Sequence, residues 1–316
     1  MSVAFEPTIS SLPAAARVAT AQSSLAKDVA MLTRPRIAVM VLATVATGMW
    51  LTGGSFSSAV WLSVLVGTGL VAASSSIANQ ILERQLDRRM PRTADRPLAS
   101  GRLRSSSACW FAAVTLIAGT GLLVTVSVGA AVAAVFTWLV YVVAYTPLKR
   151  MTPLNTAVGA VSGAMPVVIG WLAADGPQRV SAGELEGTLA AAALTTVLYL
   201  WQFPHFMAIA WLYRHQYAAA GMRMLTVDDP TGLRAGGQAL AAALAMVPVS
   251  LFLAVLSGSP RLFFAEAFAA GIYVAATTHF AIRRDDIAAR RLLMASLGTL
   301  AAVMLAVVVF GRPGGS

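Results

Sequence analysis

Asn79, Glu83 and Asp87 recur at four-residue intervals at the end of a long apolar stretch. On a continuous helix that spacing turns the side chain by only about 40° per step, so three oxygen-bearing groups share one face. Hard oxygen donors of this kind suit Mg²⁺, which binds through one or two carboxylates and completes its shell with water and phosphate oxygens. Arg88, Arg89, Arg92, Arg96 and Arg102 follow at once, and guanidinium forks match phosphate oxygens bidentately. Carboxylates for a metal beside arginines for an anion make a candidate diphosphate site. A solvated basic loop would carry the same arginines but gives no reason to align an amide and two carboxylates on one helical face.

Tyr145 and Lys149 repeat the four-residue interval in a second segment. A lysine at a helix end can simply snorkel to the interface; on the same membrane side as the acidic face, it becomes a point-charge clamp for phosphate. Further along, Trp201, Phe203, Phe206, Trp211 and Tyr213 surround Pro204 and His205. An interfacial aromatic belt accounts for the rings but not for the histidine among them. His205, with Trp201 and Phe206, is therefore a candidate contact to a flat macrocycle, by edge hydrogen bonding or axial ligation. His279 has no comparable setting and is expected to pack or cap.

The elements that must position these groups are membrane helices. Of 316 residues, 58% are hydrophobic and only 11% charged, against about a quarter charged in soluble domains. The lone cysteine, Cys109, excludes a disulfide framework and a thiolate zinc site. A net charge of +10 raises nucleic acid as a partner, but no polar stretch is long enough to form a nucleic-acid-binding domain. Windows of about 20 apolar residues suffice to cross a bilayer, and nine occur, at 37–54, 59–81, 107–127, 129–146, 155–174, 188–210, 236–257, 262–281 and 291–310. Fusion of the third and fourth would give eight longer helices. With the N-terminus in the cytoplasm, 20 of the 23 basic residues fall inside and only Arg179, Arg261 and Arg312 outside, as the positive-inside rule requires. The expected architecture is an all-α polytopic bundle of about nine spans over residues 31–312, preceded by a disordered cytoplasmic tail over 1–30. The first 30 residues lack an apolar core before a cleavage site, and a mitochondrial transit peptide is the lesser reading of a segment with a single arginine, Arg17.

The pattern N-x-x-x-[DE]-x-x-x-D from Asn79 to Asp87, followed by Arg92-Thr93-Ala94-Asp95-Arg96-Pro97-Leu98-Ala99-Ser100-Gly101-Arg102, closely resembles the first acidic motif of the UbiA-type intramembrane prenyltransferases. Leu32-Thr33-Arg34-Pro35-Arg36-Ile37 looks like the start of that family's first helix, and Tyr145-Thr146-Pro147-Leu148-Lys149-Arg150 like its Y-x-x-x-K segment. Trp201-Gln202-Phe203-Pro204-His205-Phe206 and the run from Tyr217 to Leu225 are similar to the branch of the family that farnesylates haem.

This resemblance implies transfer of the farnesyl group of farnesyl diphosphate to the vinyl group of protohaem IX (haem B), giving haem O with Mg²⁺-assisted loss of diphosphate. It implies a metal and catalytic set of Asn79, Glu83 and Asp87 with Lys149. The diphosphate set is Arg36, Arg88, Arg92, Arg96, Arg102, Tyr145 and Lys149, and the haem set His205, Trp201 and Phe206. The implied setting is the bacterial inner membrane with the site mouth on the cytoplasmic side. Implied partners are the lipid bilayer and, transiently, proteins of haem A synthesis or oxidase assembly.

One segment departs from the pattern. The haem branch usually carries an aspartate immediately before the tyrosine matching Tyr217, where this chain has His215 and Gln216. Asp228 and Asp229 are the substitutes to consider, and His215 and arginine the alternative carriers of charge. Rival readings are a prenyltransferase acting on a quinone-precursor ring and, from another class, a membrane transporter or assembly factor.

Overall fold

The computed structural model describes residues 25–311, and among them every regular element is a helix. Leu25–Thr33 (α1) and Pro35–Trp50 (α2) meet at a 43° bend. Pro35 disfavours the helical conformation in the residue before it, and Arg34 takes the left-handed values φ 50° and ψ 62°. The expectation of a disordered tail is corrected for residues 25–30, which belong to α1; residues 1–24 lie outside the described residues. Composition missed a tertiary anchor: Gln80 Nε2 donates to the carbonyls of Met31 and Leu32 at 3.1 and 2.9 Å, and Leu32 is buried against Ile77 and Leu98.

Ser58–Asp87 (α3) and Ser105–Val124 (α4) form a closely packed pair. A Cβ on Gly67 would lie 2.9 Å from the Gly119 carbonyl oxygen, and one on Gly119 2.6 Å from that of Gly67, so the two backbones are in direct contact. Lipid is as apolar as leucine, and such packing replaces the hydrophobic effect as the force between spans. The break before the next helix is made by Ser127, whose Oγ accepts from Ala130 N at 3.2 Å; windows three and four are therefore separate. Val128–Leu139 (α5) runs through a π-helical turn, Val140–Tyr145, into Thr146–Leu148 (α6). Asn155–Ala173 (α7), the short outer Gly176–Ser181 (α8) and the long Glu186–Leu212 (α9) follow. Arg214–Ala220 (α10) and Leu225–Asp228 (α11) make a structured loop before Leu233–Leu256 (α12), Pro260–Arg283 (α13) and Asp286–Phe310 (α14).

Each long helix packs on its successor, α7 also packs on α2, α9 on α14, and α14 touches α2 to close the ring. One core lies among α9, α12, α13 and α14 and a second among α2, α3, α4, α5 and α7. Large apolar side chains point outward, Trp110, Ile117, Phe264 and Phe268 each being more than 70% exposed, as a lipid-facing surface demands. Seven helices are long and apolar enough to cross a membrane, or eight if the bent α1–α2 pair is one span. The sixth expected window, 188–210, is covered by α9, which carries Gln202, Pro204 and His205 inside its apolar run and falls outside that set. The protein is an integral membrane protein.

Candidate active site

The last two turns of α3 carry Asn79, Glu83 and Asp87, with exposures of 1%, 5% and 1%. Three buried polar groups on one face need partners, because an unpaired charge in an apolar surrounding is costly. Glu83 Oε1 accepts from Lys149 Nζ at 2.8 Å. Both carboxylate oxygens of Asp87 accept from one Arg96 nitrogen, at 2.9 and 2.8 Å. Asn79 Nδ2 donates to Thr146 Oγ1 at 3.0 Å, while its Oδ1 is buried without a hydrogen bond among the described residues.

The π turn before Thr146 lets its hydroxyl reach back five residues, donating to the Tyr141 carbonyl at 2.9 Å, and it delivers Tyr145 and Lys149 to the α3 face. Lys149 Nζ lies 4.4 Å from the centre of the Tyr145 ring, a cation held against an aromatic face. Behind that ring is Gly159 of α7, where a Cβ would stand 2.7 Å from Tyr145 Cε2.

The loop after α3 folds back over the site. Arg92 lies 4.4 Å over the Tyr213 ring and donates to Tyr217 Oη at 3.3 Å, tying the first motif to the α10 segment. Arg223 N donates to the Lys149 carbonyl at 2.7 Å, and Asn155 Nδ2 to the Arg223 carbonyl at 3.1 Å. The α3, α6 and α10 regions thus meet at one end of the bundle. Burial, and after it the like charge of Arg34, holds the Arg96 guanidinium below its ordinary pKa. Arg34 was not singled out in sequence, although Pro35 after it marks a kink, and neither was Thr146, which sits inside the motif.

Other expected residues go elsewhere. Arg102 is engaged by Asp28 of α1 at 2.9 Å and by Asp95 at 2.8 Å; those hydrogen bonds raise its pKa. Arg88 Nε donates to the Ala99 carbonyl at 2.6 Å, and Arg36 is exposed on α2. His215 is exposed. Gln216 is half-buried, its Oε1 without a partner among the described residues. Asp228 pairs with Arg223 at 2.8 Å, and Asp229 accepts from the backbone of Arg234 at 2.8 Å and from Thr231. Both aspartates fasten their own loop. No group of three or more His, Cys, Asp or Glu side chains able to hold a metal occurs among the described residues, so a cation at this site would draw on the Asn79 amide oxygen and on ligand oxygens besides Glu83 and Asp87.

The aromatic histidine segment forms a separate constellation inside the bundle. The His205 ring stacks on Trp201, centroids 4.8 Å apart and planes at 22°, with Phe206 at 5.8 Å. Trp201 Nε1 donates to the Ser296 carbonyl of α14 at 2.7 Å, and Tyr273 Oη of α13 donates to the Trp201 carbonyl at 2.6 Å.

Sequence and fold comparisons identify relatives of the chain. The protoheme IX farnesyltransferase of Rhodopirellula baltica is 39% identical over 289 residues, which cover 87% of this chain and 96% of that protein. That of Solibacter usitatus is 37% identical over 302 residues, covering 91% and 99%. The human mitochondrial enzyme is 34% identical over 289 residues, covering 90% of this chain and 62% of its own. Among solved structures, a digeranylgeranylglyceryl phosphate synthase gives a TM-score of 0.73 at 16% identity, covering 90% of this chain and 98% of its own. A UbiA homolog from Archaeoglobus fulgidus bound to GPP and Mg²⁺ gives 0.61 at 14%, covering 89% and 100%. The model of the UbiA prenyltransferase family matches residues 41–309, and the chain belongs to that family.

Proposed function

We propose that the protein transfers the farnesyl group of farnesyl diphosphate to a vinyl group of haem B, making haem O. The observation that carries the reading is the buried Asn79–Glu83–Asp87 face meeting Lys149 and Arg96, in a chain whose relatives of matching length are named protoheme IX farnesyltransferases. Those names favour haem over a quinone-precursor ring and an enzyme over a transporter.

The donor set fits Mg²⁺: two carboxylates and an orphaned amide oxygen are hard ligands. Asn79, Glu83 and Asp87 would hold it, and it would supply Lewis-acid stabilisation of charge on the departing diphosphate. Lys149, Arg96 and Arg92 bind the diphosphate oxygens and stabilise the negative charge that grows as the allylic C–O bond breaks and its electron pair leaves with the diphosphate. The vinyl π electrons then bond to the allylic carbon. Water adds to the electron-deficient carbon beside the porphyrin and loses a proton. The apolar walls keep other water from capturing the farnesyl group first. Trp201, His205 and Phe206 hold the macrocycle. The site opens to the cytoplasm from a bacterial inner membrane, where the product passes to haem A synthesis and oxidase assembly.

Purified protein incubated with Mg²⁺, farnesyl diphosphate and haem is expected to form farnesylated, hydrated haem by mass spectrometry. Asp87→Ala is expected to abolish it. No product from the native chain would overturn the assignment, and full activity in Asp87→Ala would overturn the metal site.

A further inference from the structure

The hydrogen-bond geometry around Ser296 points to which nitrogen of His205 carries a hydrogen. Ser296 is fully buried on α14. Its hydroxyl donates to the Leu293 carbonyl at 2.6 Å, and its Oγ stands 2.8 Å from His205 Nδ1. A serine hydroxyl has one proton. With that proton committed to Leu293, the contact to His205 is made only if Nδ1 carries a hydrogen and donates it. The neutral ring is then the Nδ1–H tautomer, and Nε2 holds a lone pair. Among the described residues Nε2 makes no hydrogen bond. The ring thus engages one nitrogen and presents the other.

The ring is also clamped in position. Trp201 stacks on it, and Trp201 is itself fastened to the Ser296 carbonyl and to Tyr273 Oη. Three helices therefore orient a single lone pair. We propose that Ser296 is a positioning residue that locks His205 as an axial ligand to the iron of the haem substrate, holding the macrocycle by its metal. The proposal rests on haem being the acceptor. A partner on the far nitrogen is what sets the tautomer and raises the basicity of a metal-binding imidazole.

The test uses the full-length protein in detergent with ferrous haem, read by the iron–histidine stretching band in resonance Raman spectra and by haem titration. The native chain is expected to show the band, His205→Gly to lose it, and added imidazole to restore it in that variant. Ser296→Ala keeps the Trp201 bond, which goes to the backbone carbonyl, but removes the hydroxyl. It is expected to shift the band to lower frequency and weaken haem binding by roughly 10- to 100-fold, while Ser296→Thr keeps the native values. A native band that survives in His205→Gly without imidazole, or is unmoved in Ser296→Ala, overturns the inference. A native chain that farnesylates haem but shows no band also overturns it and leaves the transfer reading standing. A band without any farnesylated product does the reverse.

Discussion

Glu83 and Lys149 are both largely withdrawn from water, with side-chain exposures of 6% and 14%. Removing two charges from solvent costs several kcal/mol each, and only good geometry with further contacts offsets it. The 2.8 Å bond and the Tyr145 ring supply that geometry. Lys149→Met is expected to destabilise the protein by about 3 kcal/mol, because Glu83 is left buried alone. The double variant Glu83→Gln/Lys149→Met is expected to recover much of that loss. Thermal unfolding in detergent checks both, and a double variant no more stable than Lys149→Met refutes the pairing. Glu266 on α13 is the opposite case. It is fully buried, and neither carboxyl oxygen has a partner among the described residues. Since an unsatisfied buried polar group costs roughly 1–3 kcal/mol, Glu266→Met is expected to raise the melting temperature. A lower one would mean that the carboxyl serves a purpose its protein neighbours do not reveal.

At the level of elements, α3 was legible because composition and periodicity agreed: an apolar run ends in oxygen-bearing residues at helical spacing, and the structure buries that face. The α4–α5 break was ambiguous in hydropathy and is made by one serine cap. Nothing in the sequence announced the π turn, since a wider turn leaves the order of apolar residues unchanged. The destinations of the arginines were illegible for a related reason. Arg96 and Arg102 are six residues apart in the same motif, yet one reaches Asp87 and the other Asp28 and Asp95; which acid each finds depends on how the loop folds back against α1. The π turn itself makes a prediction. Single-turn π segments accommodate a residue beyond what a regular helix needs and cluster at functional sites. Deleting the exposed Val143 within it is expected to leave Lys149 facing Glu83 and retain activity. Deleting the exposed Val132 from the regular part of α5 rotates everything beyond by about 100° and is expected to abolish turnover. Equal damage from the two deletions, measured as farnesylated haem formed, refutes the idea.

Across the whole molecule, the ring of helices puts its apolar side chains toward lipid and brings its two buried ion pairs, Asp87–Arg96 and Glu83–Lys149, together at one end. Nothing in the count of basic residues says which segments meet there. Asp87 has its cation nine residues away, Glu83 waits 66 residues for Lys149, and Arg92 reaches Tyr217 across 125. A chain is made from its N-terminus, and these distances set a schedule. The Asp87 carboxylate is neutralised as soon as the loop after α3 emerges. Glu83 must wait uncompensated until α5 and the segment beyond it have been inserted, and the arginine above the site settles only after α9. The acidic helix therefore enters the bilayer ahead of the lysine that makes its burial tolerable.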